Sequence, residues 1–251
     1  MSGLLSKVIQ IFDANHFRLI LLPLNFDNMK TISSVSDGIS DKVSLNRVLL
    51  VCGILSSLLY AALNVFVPMQ WPEYNSASQT VSELSAVGAP TRQLWVWLST
   101  PYTILVIAFA WGLWKSAGGN RPLRIAGGLM IAYGTLGVIW PFAPMHLRET
   151  LAAGGATFSD TLHISLGAVT EILYLFALGF AARAFGKQFR IYSIATFAVL
   201  LIFGILTFLD APGVGANQPT PFIGVWERIN IGVFLLWVVV LAVVLLQTEK
   251  E

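Results

Sequence analysis

Residues 229–246 read INIGVFLLWVVVLAVVLL, eighteen positions without a charge. Wound as a helix at 1.5 Å per residue, such a run nearly covers the roughly 30 Å of hydrocarbon in a bilayer. Five further stretches have the same character, at 48–67, 94–114, 125–143, 162–182 and 191–209. All are continuously apolar, whereas a membrane β-barrel strand alternates polar and apolar residues over about ten positions. Six membrane-spanning helices are therefore predicted, and they take up almost half of the chain. The connections at 115–124 and 183–190 are too short for a soluble domain, so the fold class is an all-α integral membrane bundle.

Composition agrees. Of 251 residues 56% are hydrophobic and 11% charged, against about 25% charged in a typical soluble protein, and the mean hydropathy is +0.74. Fifteen Lys and Arg nearly balance thirteen Asp and Glu, which excludes disorder and the concentrated basic surface of a nucleic-acid binder. The single cysteine, Cys52, allows neither an intrachain disulfide nor a cysteine-built metal site. The partner implied is membrane lipid, with no nucleic acid; oligomeric state is open.

Positively charged loops are retained on the cytoplasmic side. Lys42, Arg47, Lys115, Arg121, Arg124, Arg183, Lys187, Arg190 and Lys250 fall at one end of the expected bundle. The other end has Arg92, Arg148 and Arg228 beside Glu73, Glu83, Glu149, Asp160, Asp210 and Glu227. Both termini are accordingly expected in the cytoplasm, with the protein multi-pass in the cell membrane. Trp71, Trp95, Trp97, Trp140 and Trp226 are expected at the outer boundary, and Trp111 and Trp114 at the inner one.

Residues 1–46 are expected to form a mostly disordered cytoplasmic tail, with Met29 an alternative translation start; 47–247 make the membrane domain and 248–251 a short tail. The apolar patch at 17–24 is too short to span, and Asp13 and His16 spoil it as a signal peptide. No internal repeat relates the two halves. The glycines of the third span (Gly127, Gly128, Gly134 and Gly137) read as a close helix-packing surface.

The outer half carries the informative residues. The first connection reads SQTVSELSAVG at 78–88, the third span ends WPFAPMH at 140–146, the fourth begins DTLH at 160–163, and GVWERI precedes the sixth at 224–229. In order and placement these elements resemble an uncharacterised family of bacterial and archaeal membrane proteins known as domain of unknown function 998, over roughly residues 47–246. The resemblance implies the six-span architecture and no particular activity.

At 100° per residue, Asp160, His163, Gly167, Glu171 and Tyr174 share one stripe of the fourth span, and Gly53, Ser57, Tyr60 and Asn64 share one of the first. Polar stripes face the bundle interior because lipid offers no partners. An outward-opening polar cavity is expected between the first, fourth, fifth and sixth spans, lined by Tyr60, Asn64, Ser82, His146, Asp210 and Arg228. Three classes of function compete for it. A small-molecule or proton-linked transporter would use Glu171 with His163 above it. A membrane-embedded hydrolase or transferase acting on lipid would use His146, Asp160 and His163 to hold zinc, with Glu83 or Glu227 as base. In a structural or partner-binding protein the same groups would cap helices and satisfy one another. The balance is against an enzyme, and no cofactor is expected unless zinc serves the hydrolase reading.

Three local expectations follow. Glu83, Glu227 and Arg228 should meet in a charge-assisted contact. Asp160 should cap the fourth helix, with His163 reaching the cavity one turn on. Glu171, the sole charged residue within the six runs, should face the interior as a neutral acid, donating to Tyr60, Asn64 or a backbone carbonyl.

Overall fold

The computed structural model describes residues 37–248, with side chains from Leu45 onward, and the architecture below is that of the unit beginning at Asp41. Seven helices follow in order: α1 Asp37–Phe66, α2 Arg92–Ser116, α3 Arg121–Ile139, the short α4 Arg148–Ala152, α5 Phe158–Ala181, α6 Lys187–Gly215 and α7 Ile223–Thr248. All but α4 are long and apolar enough to cross a membrane. The six predicted spans are found, each helix starting ahead of the predicted run, while the third ends at Ile139 and gives way to a short turn over Trp140–Phe142. Hydropathy misses those opening turns because Arg92, Arg121 and Arg228 are helical yet charged. The first helix reaches back to Asp37, within the stretch expected as a tail. The remaining expectations for 1–36 and 249–251 lie outside the described residues.

Local chemistry sets the helix ends. Asn120 accepts the Leu123 amide at 3.2 Å to start α3, one residue ahead of Arg121 and two ahead of Pro122. Gly118 takes a positive φ of 47° in the turn from α2. Thr157 and Asp160 form a capping box at the start of α5.

In lipid there is little hydrophobic force between helices, so close approach and dispersion hold the bundle. Along the α2–α3 seam a Cβ on Gly127 would lie 2.7 Å from the Trp114 Cα, one on Gly134 2.9 Å from Ile107, and one on Gly137 2.9 Å from Thr103. Three of the four glycines thus make the packing surface read from the sequence. Gly128 has nothing within 4 Å and takes no part. Trp237, wholly buried in α7, donates its indole N–H to Ser193 on α6 at 3.1 Å. Phe109, Leu113, Met130, Leu178 and Leu241 fill the same core.

The long connections 67–91, 140–157 and 216–222 all lie at one end and form a cap; the short ones, 117–120 and 182–186, lie at the other. An even number of spans puts the start of α1 and the end of α7 together at the uncapped end. Trp97, Trp111 and Trp114 are exposed on the bundle surface, but Trp95 is buried inside it and is no belt residue.

Candidate functional site

The cap is built on two arginines. Arg148, opening α4, places Nε 2.6 Å from Glu83 Oε1 and Nη2 2.9 Å from Glu83 Oε2. It also donates to the Ser78 carbonyl at 2.7 Å and the Thr220 hydroxyl at 2.8 Å. Glu83 is wholly buried and accepts the Thr80 amide at 2.7 Å, so the pair ties all three long connections together. Arg228 on α7 donates to the carbonyls of Ser76 at 2.8 Å, Gln79 at 3.2 Å and Gly224 at 3.1 Å, and to the Tyr74 hydroxyl at 2.7 Å. Burial pushes the Tyr74 hydroxyl up from its ordinary value, with Arg228 pulling the other way, so it stays protonated and donates to the Thr80 carbonyl at 2.7 Å. The expected Glu83–Arg228 contact is thereby corrected: Glu83 takes Arg148, and Arg228 is occupied by backbone carbonyls. Glu227 goes to the Val81 amide at 2.5 Å.

Asp160 completes the cap on the other side. Its carboxylate accepts the Thr157 amide at 2.7 Å, the His146 amide at 2.7 Å and His146 Nδ1 at 2.9 Å. The predicted cap is present, with Thr157 at the N-cap and Asp160 as its reciprocal partner. His163 instead donates Nδ1 to the Ala143 carbonyl at 2.8 Å, with Trp140 edge-on to its ring. His146, Asp160 and His163 therefore do not converge: Asp160 holds His146, and His163 turns to the chain backbone. Among the described residues no three His, Cys, Asp or Glu side chains are placed to hold a metal ion, so the donor set does not fit the zinc of the hydrolase reading. Asp160→Ala should lower stability by about 2–3 kcal/mol, through charge-assisted hydrogen bonds and a helix cap. Asp160→Asn, which keeps one acceptor oxygen, should cost about 1 kcal/mol. Thermal unfolding in detergent measures both.

Beneath the cap lies a cavity of about 610 Å³, within the range of about 300–1,000 Å³ typical of small-molecule sites. All six spans contribute, so α2 and α3 must be added to the four expected. The turn Val81–Ser85 and the stretch 140–144 roof it. Helical periodicity explains the walls: Trp95, Ser99, Tyr102 and Val106 share one face of α2, and Glu227, Asn230, Ile231 and Phe234 one face of α7. Of the residues predicted to line a cavity, Tyr60 and Ser82 do so, as do the candidates His163, Glu171 and Glu227. Asn64, His146, Asp210 and Arg228 do not. Asn64 donates to the Tyr60 carbonyl of its own helix at 2.9 Å, His146 and Arg228 are held in the cap, and Asp210 stands near the capped end of α6 outside the lining. Glu83 and Asp160 are likewise cap residues.

Glu171 is the fourteenth of 24 residues in α5 and faces the interior. Its partners are neither Tyr60 nor Asn64. Tyr174 hydrogen-bonds Glu171 Oε2 and donates to Asn230 Oδ1 at 2.7 Å, while Asn230 Nδ2 donates to Glu171 Oε1 at 3.3 Å and to the Leu200 carbonyl at 2.8 Å. Gly204 lets α6 come this close, because a Cβ there would lie 2.9 Å from Glu171 Oε1. Sequence reasoning missed Asn230; the one available signal was a lone amide inside an apolar run, the same kind of signal that singled out Glu171.

Six spans, a hydrogen-bonded polar cap and a cavity between the helices define a polytopic helical membrane protein. The chain belongs to the family described as protein of unknown function (DUF998), which matches residues 54–244. No curated protein and no solved structure matches it.

Proposed function

We propose that the protein is a small-molecule transporter of the cell membrane in which Glu171 links substrate movement to protons. The observation that carries this reading is the hydrogen-bonded set of Glu171, Tyr174 and Asn230 at the floor of the cavity, past the middle of α5. A carboxyl buried between spans is costly unless paired or protonated, and no cation lies among its hydrogen-bond partners. Tyr174 has one proton for two acceptor oxygens; when it donates to Asn230, the Glu171 carboxyl supplies the proton between them. Gain or loss of that proton rearranges three helices at once, α5, α7 and, through the Leu200 carbonyl, α6. Arg47, Lys115, Arg121, Arg124, Arg183, Lys187 and Arg190 at the uncapped end support an extracytoplasmic cap and cytoplasmic termini.

The test uses proteoliposomes loaded with a pH-sensitive dye and challenged in turn with amino acids, sugars, nucleosides and lipophilic amines. Wild-type protein should move protons with at least one class, and Glu171→Gln, which keeps the shape but exchanges no proton, should fall at least tenfold while unfolding at a similar temperature. Equal proton movement in the two proteins overturns the role of Glu171. No solute-driven flux from any class overturns transport.

A further inference from the structure

We propose that the cavity takes a lipophilic monocation, one positive charge on an apolar body, and admits it sideways from the bilayer through a gap between α5 and α6. This rests on the cavity as the transported molecule's binding site and names its occupant.

The mouth is marked by exposure. The exposed residues that also line the cavity all come from these two helices: Ile164, Ala168 and Ile172 on α5, and Leu201, Ile205 and Phe208 on α6. Ile164 is 60% and Phe208 67% exposed, whereas lining residues of α2, α3 and α7 are buried or half-buried. The two helices meet along a far shorter stretch than α2 with α3 or α6 with α7, with a close approach at Gly204 and Glu171. Gly167, on the rim, has nothing within 4 Å of where a Cβ would stand. A gap edged by Ile, Leu and Phe opens onto lipid tails, so what enters must dissolve among them.

The interior selects the charge. Two acidic side chains, Glu171 and Glu227, line the cavity against one guanidinium, Arg92, at the first residue of α2 beside the roof, and a bound cation favours their ionised forms. Glu227 uses Oε2 on the Val81 amide, and among the described residues no donor engages Oε1. Aromatic rings share the lining: Tyr60 against Trp95 and Tyr102, with centroids at 5.7 and 4.5 Å, and Tyr174 against Phe234 at 4.5 Å. Ring faces attract cations and repel anions, and in a low-dielectric enclosure both that preference and the carboxylate charge count for more than in water.

Tetraphenylphosphonium and tetraphenylborate have the same shape and opposite charge, so binding of each to the full protein in phosphatidylcholine nanodiscs separates charge from greasiness. The phosphonium should bind saturably near one per protein, at least tenfold tighter than the borate after subtraction of empty discs. Gly167→Trp, filling open space on the rim, should slow phosphonium association at least tenfold without shifting the unfolding temperature. Borate binding as tight as phosphonium, no saturable phosphonium binding, or unchanged association in Gly167→Trp each overturns the proposal. Nanodiscs hold no gradient, so the outcome is independent of transport. Saturable phosphonium binding without vesicle flux overturns the transport reading alone; flux of a water-soluble solute without phosphonium binding overturns this one alone.

Discussion

Arg148→Ala will lose about 3–5 kcal/mol of stability, the cost of stranding a buried charge. Glu83 is wholly buried and has no second cation: the described residues hold two ion pairs, Arg148 with Glu83 and His146 with Asp160. Removing the guanidinium leaves the carboxylate with the Thr80 amide and hydroxyl and the Gln79 side chain, and also frees the Ser78 carbonyl and Thr220 hydroxyl. Arg148→Lys should fall between, because an ammonium cannot make the two parallel contacts. The diagnostic is Glu83→Gln added to Arg148→Ala. If the loss comes from an unpaired charge, the double variant recovers part of it; if it comes from packing, the losses add. Unfolding of the purified protein by increasing SDS in mixed micelles measures these three variants and Glu83→Gln alone.

Gly224→Val should be comparably damaging for a different reason. The Gly224 amide donates to the Ala77 carbonyl at 2.9 Å, pressing the first turn of α7 against the loop 76–79. A Cβ there would run into the carbonyl oxygens of Ser76 and Gln79 and stand 2.9 Å from Arg228 Nη1. Two of these obstacles are backbone and cannot turn aside. Overpacking costs about 1–3 kcal/mol, and the Arg228 bonds to the same two carbonyls, each about 1.5–3 kcal/mol, are lost if the loop lifts. Gly232→Ala on the same helix, with nothing within 4 Å of its Cβ, is the control and should be neutral within about 1 kcal/mol. The same unfolding assay compares them.

The spans were legible because a bilayer demands an unbroken apolar run, a property each segment carries by itself. Glu171 was legible for the same reason, as the exception inside such a run. The glycine seam on α3 could be read because its helix spacing is local. Partner choice could not be. Glu83 had three arginines at its own end of the bundle, and which one reaches it depends on how connections 65 residues apart fold over each other. The sequence motifs Ser-Glu-Leu and Glu-Arg look like chemistry, yet most of their polar atoms are consumed in closing the cap. The cavity's contributions from α2 and α3 were invisible because tyrosines and tryptophans in an apolar run read equally well as lipid-facing.

The cap also sets an order of events during synthesis. Ser76, Gln79 and Val81 find their partners on Arg228 and Glu227, 152, 149 and 146 residues downstream. A ribosome adds about 5–20 residues per second, so for some seconds after the first connection is made its partners do not yet exist. The polar groups of that connection must wait in water while four more helices are inserted. Closure falls to the last span, and a chain cut before residue 223 would carry every apolar helix but one and still lack the means to shut its own roof.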